Sequence, residues 1–84
     1  MPRFRSDLHS HFHSHRQESG THEACYCLLL AHLDDEIVAD QIVQQNIKDW
    51  DKRDSSYLVD TIADIAGGYR QAMEDIEQLK QLTN

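Results

Sequence analysis

From residue 55 to residue 83 the apolar positions fall at Leu58, Ile62, Ile65, Tyr69, Ala72, Ile76 and Leu79. The steps alternate between four and three, the spacing of a helix that packs along a single seam. Val59, Ala66 and Met73 recur every seven residues beside it and widen the seam into a core-facing stripe. Upstream, the run from Ala24 to Ala31 is apolar on every side of a helix. Tyr26, Leu29, Leu30, Leu33, Ile37 and Ile47 share one side, Val38 and Ile42 take a second, and Val43 and Trp50 turn the pattern again. One helix over residues 21–50, capped by Ser19 or Thr21, fits this pattern. A helix apolar on several sides needs several neighbours.

The break between the two patterns is polar: Asp51-Lys52-Arg53-Asp54-Ser55. Lys48, Lys52 and Arg53 gather at the end of the first helix, and Asp54, Ser55 and Ser56 offer capping oxygens to the second. The arms match at about 45 Å each, which predicts an antiparallel hairpin. Folding it about residue 53 sets Glu36 near Arg70 and sets 24–31 opposite 75–82. Only Ile76, Leu79 and Leu82 are available there, too little cover for eight apolar residues. The expected fold is therefore all-α, a two-helix hairpin that homodimerises into a four-helix bundle. Its core and dimer seam comprise Leu30, Leu33, Ile37, Leu58, Ile62, Ile65, Tyr69, Ile76 and Leu79. Gly67 and Gly68, with Ala63 and Ala66, form a small-residue patch that fits either the close approach of another helix or a kink, and the sequence does not choose between them.

Composition adds a boundary. The chain has 84 residues and a net charge of −7. Arg3, Arg5 and Arg16 against Asp7 leave residues 1–16 at +2, so residues 17–84 carry −9. Residues 1–20 are polar and His-rich, and read as a flexible tail ahead of a hairpin domain spanning 21–84. One domain is the most such a length supports, and its core is thin. No apolar run approaches the roughly 20 residues of a membrane span, and no apolar stretch follows the N-terminal arginines as a secretory signal requires. A cytoplasmic protein is the expectation. Cys25 and Cys27 point about 200° apart on a helix and read as free thiols.

His9, His11, His13 and His15 alternate along the tail, with His22 downstream. In an extended chain they share one side, where His9, His11 and His13 could grip a transition metal. The segment Asp7-Leu8-His9-Ser10-His11, with Ser19-Gly20 after it, resembles the opening motif of the PHP metallo-phosphoesterases, which implies His9 and His11 as metal ligands. The likeness covers about fourteen residues, and the remaining ligands of that barrel have no counterpart in so short a chain. Leu58 to Ile65, with Asp60 and Asp64 one turn apart, is faintly similar to a helix of the all-α MazG-like pyrophosphohydrolases. That resemblance implies a Mg²⁺ site of carboxylates. The E-E-x-x-E pattern of the family's other helix is not matched by Asp34-Asp35-Glu36.

No nucleophile–base pair or phosphate-binding glycine loop is present, and no cofactor is implied. What remains is an acidic face: Asp34, Asp35, Glu36 and Asp40 on the first helix, Asp60 and Asp64 on the second. Such a face repels nucleic-acid backbones and suits basic protein surfaces. The expectation is a non-enzymatic regulator or adaptor that binds a protein, one form of which is an inhibitor that mimics nucleic acid towards a basic or nucleic-acid-binding partner. Metal binding or metal-dependent catalysis through the histidines or carboxylates is the second reading. Direct RNA binding by a hairpin dimer is the third, and −9 over residues 17–84 counts against it.

Overall fold

In the computed structural model, which describes residues 4–83, the chain forms four helices. They are α1 (Phe4–Ser19), α2 (Thr21–Leu33), α3 (Glu36–Trp50) and α4 (Ser55–Thr83). The described residues contain no strand, so the all-α expectation holds. None of these helices is long and apolar enough to cross a membrane.

The centre is α2, which packs against α1, α3 and α4, while α1 also packs against α4. This arrangement explains the all-round apolar run from Ala24 to Ala31. Its premise of several neighbours was right, but those neighbours lie within one chain. The core joins Phe12 of α1, Ala24, Cys25 and Leu29 of α2, Ala39, Val43 and Trp50 of α3, and Leu58, Val59 and Ile62 of α4. Burial pushes the Cys25 thiol up to about 11, against a small lowering by Arg16, so it stays protonated as a packed apolar group.

The expected tail is the first correction. Residues 4–19 are helical, and Phe12 locks that helix into the core with 4% of its surface exposed. Residues 1–3 of the expected tail lie outside the described residues. The turn into α2 is made by Gly20 at φ 96°, a conformation that favours glycine. Gly20 is also the N-cap, and neither expected residue supplies a side-chain cap bond. Arg16 ties this turn to the one between α3 and α4. Its Nε donates to Thr21 Oγ1 at 2.9 Å, its Nη1 to Ser55 Oγ at 3.3 Å and its Nη2 to the Asp51 carbonyl at 3.4 Å.

The second correction falls on the first arm, which is two helices. Asp34 takes the left-handed conformation at φ 55° and its N–H donates to the Leu30 carbonyl, closing α2. Asp35 then caps α3, its Oδ1 accepting from Val38 N at 3.1 Å. The interruption resets the helical phase. The inner face of α3 becomes Ala39, Val43 and Trp50, and Ile37, expected in the core, is 71% exposed.

The third correction concerns α4, about 43 Å long at 1.5 Å per residue against about 20 Å for α2. Leu58, Val59, Ile62 and Ala66 are buried, and Ile65 and Tyr69 are half-buried. Every residue from Arg70 to Leu82 is exposed. Two of the expected core positions, Ile76 at 46% and Leu79 at 61%, therefore lie on the surface of the single chain. The helix runs on past the body it packs against. A Cβ built on Gly67 or Gly68 would meet nothing within 4 Å, so these glycines do not mark a close helix approach within the chain.

Candidate functional site

Two surfaces concentrate the polar and apolar groups that the fold itself does not use. The first is the facing pair α1 and α2. Residues two apart on a helix diverge by about 200°, so the alternating histidines separate into two pairs four residues apart. His9 and His13 face α4: His9 Nε2 lies 3.8 Å from Asp60 Oδ1, and His13 Nδ1 is 2.8 Å from Ser55 Oγ. His9 Nε2 is buried without a hydrogen-bond partner. His11 and His15 face α2, where they line a cleft of about 170 Å³ with Phe12, Ala24, Cys27 and Leu28.

The set His9, His11 and His13 therefore does not converge on one ion, which corrects the expectation drawn from an extended tail. It also removes the geometry implied by the phosphoesterase likeness, whose His9 and His11 diverge onto different neighbours; the Asp7 side chain lies outside the described residues. A different set does converge. Donor atoms of His15, Glu23 and Cys27 all lie within 4.8 Å of one another. Cys27 Sγ donates to Glu23 Oε2 at 3.4 Å, and desolvation followed by this bond raises the thiol above its ordinary value.

The acidic residues have structural duties. Asp34 and Asp35 build the α2–α3 turn, Glu36 stands in the first turn of α3 and Asp40 Oδ2 accepts from Gln44 Nε2 at 2.7 Å. Asp34, Asp35 and Glu36 border a shallow open hollow with Leu30 and Ile37. Asp60 faces α1 at His9, and Asp64 is exposed one turn further along α4. Among the described residues, no three carboxylates gather closely enough to hold one ion, so the MazG-like arrangement is not assembled.

The second surface is the projecting half of α4. Met73, Ile76, Leu79 and Leu82 are 46–82% exposed and continue the seam whose first half is buried. Arg70, Glu74, Asp75, Glu77 and Lys80 accompany them along the projecting turns. Arg70 is where the arm leaves the body: its Nη1 donates to the His32 carbonyl at 3.1 Å, satisfying one of the last carbonyls of α2. The expected pairing of Arg70 with Glu36 is replaced by this bond. His32 is held below its ordinary value by desolvation and then by the Arg70 charge.

Comparison with known proteins finds no matching family model, no matching curated protein and no matching solved structure. The geometry must carry the functional reading alone.

Proposed function

We propose that this protein is a small acidic adaptor or regulator that works by binding another protein, with the second half of α4 as its docking element. One observation carries the reading. The helix keeps its apolar seam for more than three turns after its own body ends, and every residue from Arg70 to Leu82 is exposed. A helical segment of this length is marginal in water by itself, because nucleation is costly and little packing offsets it. A seam of i, i+3 and i+4 apolar anchors is what a helix-in-groove partner reads. Met73, Ile76 and Leu79 are the anchors.

The flanks define the partner. Glu74, Asp75 and Glu77 outnumber Arg70 and Lys80, and the chain carries −7 overall. An apolar groove with a basic rim is complementary. Self-pairing is less well suited. Two copies carry the same net charge of −7, so self-pairing brings like charges together. The acidic cluster at Asp34, Asp35, Glu36 and Asp40, with Asp60 and Asp64, then serves folding and solubility more than recognition.

A photoreactive phenylalanine analogue at position 76, compared with the same group at exposed Gln45 of α3, tests the reading. The expected result is a covalent adduct of one defined mass in native extract from position 76 alone. It should weaken when Glu74, Asp75 and Glu77 are changed to Lys and when salt is raised. An adduct of twice the chain's 9.8 kDa would make a second copy the occupant, and equal labelling from both positions would remove the arm's special role.

A further inference from the structure

We infer that His15, Glu23 and Cys27, with His11 beside them, form a binding site for a borderline divalent transition ion of the zinc class, joining α1 to α2. The argument begins with register. The four positions are 11, 15, 23 and 27, and they are symmetric about residue 19, at the turn between the two helices. Folding α1 back on α2 there sets 15 opposite 23 and 11 opposite 27. On each helix the two residues are one turn apart and share a face. The result is H-x-x-x-H facing E-x-x-x-C across an antiparallel pair.

The distances between donor atoms agree with the register. His15, Glu23 and Cys27 hold their donor atoms within 4.8 Å of one another. Ligands at 2.0–2.3 Å from a tetrahedral ion stand roughly 3.4–3.8 Å apart. The Cys27 Sγ to Glu23 Oε2 distance of 3.4 Å already meets that spacing. The remaining closure is about 1 Å, within reach of side-chain rotation. His11 lines the same cleft as His15 and Cys27, in position to be a fourth ligand.

The donors identify the ion. Imidazole, carboxylate and thiol together suit Zn²⁺ or Co²⁺, whereas Ca²⁺ and Mg²⁺ require oxygen ligands. On binding, the Cys27 thiol gives up its proton to solvent and the sulfur bonds the metal. The other cysteine takes no part, since Cys25 is fully buried in the core. Binding would staple α1 to α2. The staple has a physical purpose, because Phe12 is the one residue of α1 in the buried core among the described residues.

The test uses the full untagged chain and Co²⁺ as a spectroscopic probe. One Co²⁺ per chain should bind with a thiolate-to-metal charge-transfer band and tetrahedral visible absorption, and Zn²⁺ should displace it. Cys27→Ser should abolish the band, and His15→Gln should weaken binding by more than about 100-fold, since even outer partners of ligands contribute about 10–100-fold. Cys27→His should retain binding without the thiolate band, which separates loss of a ligand from loss of fold. His9→Gln and His13→Gln should leave affinity unchanged. Co²⁺ binding that survives Cys27→Ser with its spectrum intact, binding that needs His9 or His13, or no binding to a chain of normal helicity would overturn the site.

Discussion

The two halves of α4 are written in the same pattern and end in different environments. Leu58, Val59, Ile62 and Ala66 are at most 3% exposed, whereas Met73, Ile76, Leu79 and Leu82 on the second half are 46–82% exposed. Seven-residue periodicity cannot distinguish them, because periodicity records what a helix can bury, not what is there to bury it against. The difference comes from length. The body is built of helices about 20–24 Å long, and α4 is about twice that. Its first half is core, and its second half is exposed apolar surface.

The largest expected effect breaks the two halves apart by mutation. Ile62→Ala deletes a fully buried side chain and should cost about 2–5 kcal/mol, a large share of the stability of so small a domain. Ile76→Ala, at the equivalent seam position of the projecting half, should stay within about 0.5 kcal/mol. Denaturant midpoints of the two variants check this directly. Equal losses would mean that a second copy covers Ile76 in solution, and the midpoint would then depend on protein concentration.

Next in size is the clamp that anchors the packed half. Arg16 bonds Thr21, Ser55 and the Asp51 carbonyl, so one side chain holds the start of α4 against the α1–α2 turn. These bonds are charge-assisted but partly open to water. Arg16→Ala should cost about 1–2 kcal/mol, read from thermal unfolding. The loss should accelerate amide exchange in the first turns of α4 and leave the projecting half unchanged.

Much of this architecture was legible in the chain. The helical class, the turn at 51–54 and the Leu58–Ile62 core follow from spacing and capping chemistry. The surplus apolar cover on 24–31 also required extra neighbours. What hid them was reading residues 1–20 by composition. Four histidines, four serines and three arginines among residues 1–20 read as solvated, yet Leu8 and Phe12 at i, i+4 already marked one turn of an amphipathic helix. Once α1 is helical, the convergence of His15 with Glu23 and Cys27 follows from counting away from residue 19. The break at Asp34-Asp35 was missed because two aspartates on a helix read as charge. Their capping chemistry, a left-handed closing residue and then an N-cap, is the signal that was present. The exposed arm could not have been read, because a seam does not state where its cover ends.

The boundary between the halves can be sharpened without touching either. Gly67 and Gly68 stand where α4 leaves the body, and an added Cβ meets open space at both. Gly67→Ala and Gly68→Ala should each stabilise the protein by about 0.5–1 kcal/mol by restoring helix propensity. If the arm binds its partner as a straight continuation of the helix, adduct yield at position 76 should rise or hold. A gain in stability with loss of the adduct would show that docking requires a bend at the glycines.

The smallest effect lies at the Arg70 hydrogen bond, where the arm meets the body. Arg70 Nη1 donates to the His32 carbonyl, and desolvation with the Arg70 charge lowers the His32 pKa from its ordinary 6.5. Because the folded value lies below the unfolded one, the unfolded chain binds the proton more readily. His32 therefore contributes stability above about pH 6.5 that is lost as the pH falls towards the folded value. The informative quantity is the difference between the wild type and a variant that lacks this imidazole. Between about pH 7.5 and about pH 5.5 the wild type should lose more stability than His32→Gln, and the gap should be small because the ring is only partly desolvated. Arg70→Gln should narrow it further while fraying the arm in amide exchange. An Arg70→Gln variant with an unchanged pH difference would mean that burial alone sets the imidazole, and that the arm is joined to the body through its seam only.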